Sequence, residues 1–152
     1  LFYFKPPAHR MEKVAEEAGI TWINDSKATN VDAVFFALQS MDQPTIWIVG
    51  GVDKGNDYTP LMPCVAKMVK GIVCMGVDNT KLLEVFGPLN LPMTEVGSAA
   101  DAVKKAKEWA EAGDIVLLSP ACASFDLFKN YEDRGDQFKA AVLDQITPST
   151  QP

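Results

Sequence analysis

Paired cysteines, an excess of basic charge and a long apolar run are all missing from this chain, and each absence removes a class of function. Cys64, Cys74 and Cys122 are odd in number. None stands in a Cys-x-x-Cys pair, so neither a disulfide framework nor a zinc ribbon is indicated, and a reduced, cytoplasmic protein is expected. Acidic residues outnumber basic ones by 20 to 14, for a net charge of −6, which argues against a nucleic-acid binder with its basic patch. A local basic pocket for a small anion stays possible. No apolar run reaches the length of a membrane span and no signal peptide opens the sequence, so no membrane association is expected.

What is present suits one soluble domain. The chain has 152 residues, 47% of them apolar and 22% charged, enough to bury a substantial core. It begins at Leu1 with Lys5-Pro6-Pro7 close behind, so residues 1–8 read as an interdomain linker. Residues 147–152, Thr-Pro-Ser-Thr-Gln-Pro, read as a frayed tail. Residues 9–146 between them form the domain, expected to be monomeric.

Along that domain the hydrophobic pattern alternates between strand and helix. Met11–Ala18 is ambiguous between the two, Gly19 breaks it, and Ile20–Asn24 is β-rich, which together predict an N-terminal β-hairpin. Helix resumes near Val31, with Phe35, Leu38 and Met41 at helical spacing. Thr45–Val49 is a continuous apolar run ended by Gly50-Gly51, as a buried parallel strand reads. Helix over Leu61–Val69, strand over Gly71–Met75, helix over Lys81–Phe86 and a weak strand over Met93–Val96 follow. An amphipathic helix over Ala99–Ala112 stopped by Gly113, a strand over Asp114–Leu118 and helix through most of Phe125–Ile146 complete the pattern. The predicted class is α/β: a Rossmann-like, mostly parallel sheet with helices on both faces and the hairpin at its start.

Ligands in such sheets bind beyond the carboxyl ends of the strands. Three polar, non-periodic stretches fall there: 24–30, 50–57 and 119–126. Gly50-Gly-Val-Asp-Lys-Gly55 has the outer glycine spacing of a phosphate loop, but Asn56-Asp57 replace its Lys-Ser/Thr, and the acidic residue would repel phosphate. Val52 likewise breaks the dinucleotide fingerprint. The stretch is either a platform presenting Lys54 to an anion or a plain turn with solvated charges. Ser119-Pro-Ala-Cys-Ala-Ser124 places small residues at a tight strand exit and Ser124 as an expected helix N-cap, where free amides favour a carboxylate or phosphate. A nucleophile at Cys122 or Ser124 would need Gly-x-Ser-x-Gly or a His/acid pair. The first is missing and His9 is the single histidine, so Cys122 reads better as a small buried hydrophobe. Asn24-Asp-Ser-Lys-Ala-Thr-Asn30 concentrates a carboxylate, an ammonium and two hydroxyls. An Asx-turn with a helix N-cap at Thr29 or Asn30 explains part of that density. His9-Arg10 alone is unremarkable.

Taken in order, His9-Arg-Met-Glu12, Asn24 to Asn30, Gly50-Gly51 with Asp53-Lys54, Ser119 to Ser124, and Phe128-Lys-Asn130 to Arg134-Gly135 resemble the C-terminal domain of the Mur ligases. Among these they are most similar to the branch that adds D-glutamate in peptidoglycan synthesis. The resemblance runs from about His9 to Val142, and five ordered motifs are far more specific than one. It implies that ATP phosphorylates the alanyl carboxylate of UDP-N-acetylmuramoyl-L-alanine and that the amine of D-glutamate attacks the acyl phosphate, with magnesium bridging the phosphates. It further implies that Thr29 and Lys54 hold the α-carboxylate of D-glutamate. Ser124, the backbone around Phe125, and Tyr131 would take its side-chain carboxylate. His9, Arg10 and Asp25 would reach the nucleotide, Asp25 through ribose hydroxyls, and Lys27 would assist near the phosphates. No residue of this chain is assigned to a metal. The Tyr131 position often carries Phe in the family, which is harmless if its backbone amide does the work.

The family's N-terminal, UDP-binding domain and its central domain with the ATP phosphate loop are expected to complete the enzyme. ATP and magnesium would be bound mainly there, and the present chain alone is expected to fold without turnover. A sister ligase, a folylpolyglutamate-type enzyme, or a non-catalytic Rossmann-like module that senses a nucleotide or amino acid are the competing readings. Fold alone does not choose among them.

Overall fold

The computed structural model describes residues 7–146; residues 1–6 of the expected linker and the expected tail lie outside the described residues. The hairpin is as read: β1 (Glu12–Glu17) and β2 (Ile20–Asn24) pair antiparallel with Glu17 opposite Ile20. Ala18 and Gly19 both take positive φ, 56° and 80°, the two-residue turn whose twist matches that of the strands. Then come α1 (Val31–Gln39), β3 (Thr45–Val49), α2 (Met62–Met68) and β4 (Val69–Met75). These are followed by α3 (Thr80–Phe86), β5 (Met93–Val96), α4 (Ala99–Trp109), β6 (Ile115–Leu118) and α5 (Tyr131–Ile146).

The six strands form one sheet in the order β1-β2-β6-β3-β4-β5, and every neighbour after the hairpin is parallel. Its two faces carry separate apolar clusters. Trp47, Val49, Ile72, Cys74, Ile115 and Leu117 meet Val34, Ala37 and Leu38 of α1, Val65 of α2, and Leu82 and Phe86 of α3. The alternate residues Ile46, Ile48, Val73, Met75, Val116 and Leu118 meet Ala102, Val103 and Ala106 of α4, and Phe138 and Val142 of α5. Strands buried on both faces read as continuous apolar runs, which is why β3 and β6 were legible.

Beyond shifts of a single residue at the starts of α2 and α3, these boundaries differ from expectation. Strand β4 begins at Val69, ending the helix at Met68, because Val69 pairs with Thr45 of β3; the Lys70 ammonium beside it lies 2.6 Å from Asp114 and 3.0 Å from Glu111. Helix α4 stops at Trp109, not Ala112. Ala110 is extended, and the Glu111 amide turns to the Asp114 carboxylate at 2.8 Å. Strand β6 starts at Ile115. Residues 125–130 are turns rather than helix, and α5 opens at Tyr131 with the Asn130 side chain accepting from Asp133 N at 2.7 Å. Ser124 is therefore not the N-cap of this helix, and the anion-binding argument from a helix start at Ser124 falls away. Asn30 does cap α1, accepting from Ala33 N at 2.8 Å. Asn30→Ala is expected to cost about 1 kcal/mol in urea unfolding; no change would mean that another group satisfies that amide.

Candidate functional site

Because β6 lies between β2 and β3 in the sheet, the loop leaving β6 is bracketed at the carboxyl edge by the loops leaving the other two. Backbone bonds hold the three together. Ala121 N donates to Ala28 O, Asp25 N to Leu118 O, Gly50 N to Pro120 O and Val52 N to Ala123 O, at 2.7 to 3.0 Å. The glycine pair serves this contact. A Cβ on Gly51, whose φ is 146°, would run into the Ala123 carbonyl, so the β3 and β6 loops can touch only with glycine there. The stretches 24–30, 50–57 and 119–124 thus form one surface.

On the β2 side Asp25 is buried at 4% exposure. Ser119 Oγ donates to its Oδ2 at 2.8 Å and Met11 N to its Oδ1 at 3.1 Å. Burial pushes its carboxyl up to about 6, against those two bonds and the nearby Arg10 charge. Next to it opens a cleft of about 540 Å³ lined by Arg10, Asp25 and Lys27 at its polar end and by Met11, Ala33, Phe36 and Ala37 elsewhere, a volume in the range of small-molecule sites. Arg10 and Lys27 are exposed, and among the described residues neither has a carboxylate within 4.0 Å. His9 does not line this cleft. Its ring is buried, with Asn24 Nδ2 donating to Nδ1 at 2.9 Å, which assigns the ring proton to Nε2, 3.6 Å from Asp136. A Cβ on Gly135 of α5 would overlap the His9 ring, and the His9 carbonyl accepts from Lys27 N at 2.9 Å.

Arg134 ties α5 to the site and was legible in sequence only as part of a motif. Its side chain is 1% exposed. Nε donates to Ser26 Oγ at 2.9 Å, Nη2 to Ser26 O at 2.8 Å and Nη1 to Cys122 O at 3.0 Å. Burial pulls the guanidinium down to about 10, still charged at neutral pH. Ser26 Oγ in turn donates to Tyr131 O at 2.7 Å. One cation therefore fixes the β2 loop, the β6 loop and the first turn of α5, which carries Tyr131. Ser124 is buried, while Thr29 and Phe125 are exposed.

On the β3 side Lys54 is exposed at the tip of its loop and, like Arg10 and Lys27, has no carboxylate within 4.0 Å among the described residues. The loop is braced from within by Asp53, which accepts from Gly55 N, Asn56 N and Tyr58 OH, each at 2.8 Å, and faces Lys81 at 3.5 Å. Partial burial works to raise the Asp53 pKa. The bonds from Asn56, Tyr58 and Gly55 and the Lys81 charge outweigh it and hold the carboxyl below its usual range. Asn56 Nδ2 crosses to Ala121 O at 3.0 Å, and Tyr58 OH lies 3.3 Å from Cys122 Sγ. Burial pushes the Cys122 thiol up, with the Tyr58 bond working the other way; a buried thiol held in that state is a packing group rather than a nucleophile.

Sequence reading missed Asn56, Tyr58 and Phe36. Asn56 enters the sequence only as a departure from the phosphate-loop pattern, and Tyr58 and Phe36 fall in no motif. Among the described residues no three His, Cys, Asp or Glu side chains are placed to hold a metal ion.

Comparison with known proteins agrees with this architecture. The family described as "Mur ligase, glutamate ligase domain" matches residues 9–122. The UDP-N-acetylmuramoylalanine–D-glutamate ligase of Christiangramia forsetii is 56% identical over 139 residues, covering 91% of this chain and 31% of that protein. The ligase of the same name from Porphyromonas gingivalis is 51% identical over 140 residues, 92% of this chain and 31% of that protein. The chain thus spans under a third of the length of these curated relatives. Among solved structures, the UDP-N-acetylmuramate-alanine ligase MurC of Thermotoga maritima superposes with a TM-score of 0.62 at 12% identity, covering 93% of this chain and 31% of that one. Escherichia coli FolC in complex with ADP gives 0.61 at 18%, with 91% and 32% covered. Identities so low speak for the fold alone, but the family match runs over three quarters of the chain, from His9 through the hairpin and the β2 and β3 loops to Cys122 in the β6 loop: the chain belongs to the Mur ligase family.

Proposed function

We propose that this chain is the C-terminal, amino-acid-accepting domain of an ATP-dependent ligase that joins D-glutamate to UDP-N-acetylmuramoyl-L-alanine, and that the cleft-bearing edge of the sheet is its working face. The observation that carries the reading is the identity, above one half across nine-tenths of the chain, to relatives named as D-glutamate ligases. The fixed loops support it. A dianionic amino acid needs cations and hydroxyls held in place, and Lys54, Thr29 and Ser124 stand on three loops that the backbone bonds above lock together.

In this reading Lys54 and Thr29 hold the α-carboxylate, and Ser124, the backbone at Phe125 and the Tyr131 amide receive the side-chain carboxylate. The amine is left free to attack the acyl phosphate. Arg10 and Lys27 face the phosphates and Asp25 accepts from ribose hydroxyls. His9 acts by position, its carbonyl holding the Lys27 amide and its ring seating the Arg10 turn on α5. Magnesium would neutralise phosphate charge when it is bound, held mainly by the nucleotide and the central domain. Self-association plays no part in the site. The sequence has no Gly-x-x-x-x-Gly-Lys-Ser/Thr loop, so the chain by itself is expected to release no phosphate from ATP.

The test is phosphate release by the full-length ligase with ATP, magnesium and the UDP-linked alanyl precursor, comparing D-glutamate with L-glutamate, L-lysine and diaminopimelate. Turnover is expected with D-glutamate alone. Lys54→Ala should raise the KM for D-glutamate on the order of 10- to 100-fold, as loss of a charge-assisted hydrogen bond does, with the KM for ATP little changed. Turnover with a different amino acid would overturn the specificity, and no turnover with any would overturn the ligase reading.

A further inference from the structure

Helix α1 carries Phe35 and Phe36 in succession, and helical geometry can turn only one of them toward the sheet. Val34, Ala37 and Leu38 make the buried stripe, Phe35 is half-buried, and Phe36 stands 74% exposed. Among the described residues, the other large apolar side chains left in water are Val77, Phe125 and Leu143. Phe36 alone of these lines the cleft that also holds Arg10, Asp25 and Lys27.

The lining divides by chemistry. Ala33, Phe36 and Ala37, all on α1, make an apolar wall with an aromatic face; Asp25 is an acceptor; Arg10 and Lys27 are cations with no carboxylate within 4.0 Å among the described residues. Asp25 already accepts one bond on each oxygen, and each keeps a second lone pair for a hydroxyl. A flat aromatic group, a diol and an anion, joined in one small molecule, would satisfy all three parts at once, and a nucleotide is that molecule. A dianionic amino acid could use both cations but would leave the aromatic face unused.

We infer that Phe36 is the base-stacking residue of this cleft, a positioning residue that seats the purine of the nucleotide against α1 while Asp25 and the cations hold its ribose and phosphates. The inference rests on the proposed ligase reading and adds to it a residue and a specificity element. Stacking on one face recognises a π-system rather than a hydrogen-bond pattern, so Phe36 sets affinity for the base while choosing little between adenine and guanine. Ser40 at the same end does not change this, because its hydroxyl proton is committed to Ala37 O at 2.8 Å.

The experiment uses the full-length ligase and its Phe36→Ala and Phe36→Trp variants. Loss of stacking should weaken ADP binding by calorimetry and raise the KM for ATP roughly tenfold, with the KM for D-glutamate unchanged within about twofold by the same reasoning. Phe36→Trp should restore affinity, and its added fluorescence should be quenched by ADP but not by ribose 5-phosphate. Wild-type ADP affinity in Phe36→Ala, or a tryptophan signal indifferent to ADP, would overturn the inference and leave the ligase reading intact. A Phe36→Ala effect on D-glutamate or on thermal stability instead would also overturn it, marking Phe36 as a packing contact for another part of the enzyme. Absence of D-glutamate-dependent phosphate release in the wild type would remove the ligase reading itself, while the ADP titrations would still decide whether Phe36 meets a base.

Discussion

Arg134→Ala is expected to destabilise the chain by about 4 kcal/mol, a large share of the ordinary stability of a domain. The guanidinium is 1% exposed and makes three hydrogen bonds, to Ser26 O, Ser26 Oγ and Cys122 O. Hydrogen bonds to a charged group contribute roughly 1.5–3 kcal/mol each, and their removal leaves two carbonyls without their partner in a cavity of side-chain size. Returned solvation of the charge offsets part of this, because burial itself works against the cation, as its lowered pKa records. Arg134→Lys should recover little, since a point-like ammonium cannot reach acceptors that a planar fork meets in three directions. Urea unfolding of the two variants, or a fall in Tm on the order of 10 °C, checks this. A loss under about 1 kcal/mol in Arg134→Ala would mean that water replaces the guanidinium and that the loops do not depend on it. Because Arg134 holds Ser26, which in turn bonds Tyr131 O, Arg134→Lys should also raise the KM for D-glutamate in the full-length enzyme.

How much of this could be read from sequence depended on whether the cause was local. Strands β3 and β6 are continuous apolar runs, the hairpin turn is a positive-φ pair, and α1 opens on its Asn30 cap; each signal lies within a few residues of its effect. The carboxyl-edge loops were legible because polar, non-periodic residues cluster where strands end. What failed was non-local. Strand β4 starts early because Val69 pairs with Thr45 of β3, far away in sequence. Helix α4 ends early because the Glu111 amide turns to the Asp114 carboxylate; Trp109, its last residue, packs over Gly71, where a Cβ would lie 2.8 Å from the indole ring. The helix expected from Phe125 makes a single turn, Phe128 N donating to Ser124 O, and does not continue until α5 opens at Tyr131; Ala121 just before it takes a φ of 64°. Charge misled too. Arg134 sits among Glu132, Asp133 and Asp136, a stretch that reads as a solvated helix face, yet its side chain points into the protein. Phe36 is the converse, an aromatic that composition places in the core and geometry leaves in the cleft.

Asp25→Asn should raise stability at neutral pH while abolishing turnover of the full-length enzyme. The Asp25 pKa moves from 3.8 to about 6 on folding because burial disfavours the charge. Between those values the folded state holds more protons than the unfolded one, so stability falls as pH rises from about 4 to about 6 and is level above. The full difference amounts to about 3 kcal/mol. Asparagine keeps the shape without the charge. Its carbonyl can accept from Met11 N, and its amide can donate to Ser119 Oγ, which now accepts where it had donated. The variant is therefore expected to be more stable than wild type by up to about 3 kcal/mol at pH 7.5, with the advantage shrinking to nothing near pH 4. Urea unfolding at pH 4.5, 6 and 7.5 measures it, and taking the difference between the two proteins cancels the opposite slopes of Glu12 and Asp53, whose pKa values are lowered. A difference that does not change with pH would show that the carboxyl is not perturbed by its surroundings. A buried carboxylate that weakens its own fold at the pH where it is ionised has no structural reason to be Asp rather than Asn. The reason then lies in the cleft, where an ionised acceptor is needed for a hydroxyl-bearing ligand and an amide whose hydrogens point outward would not serve.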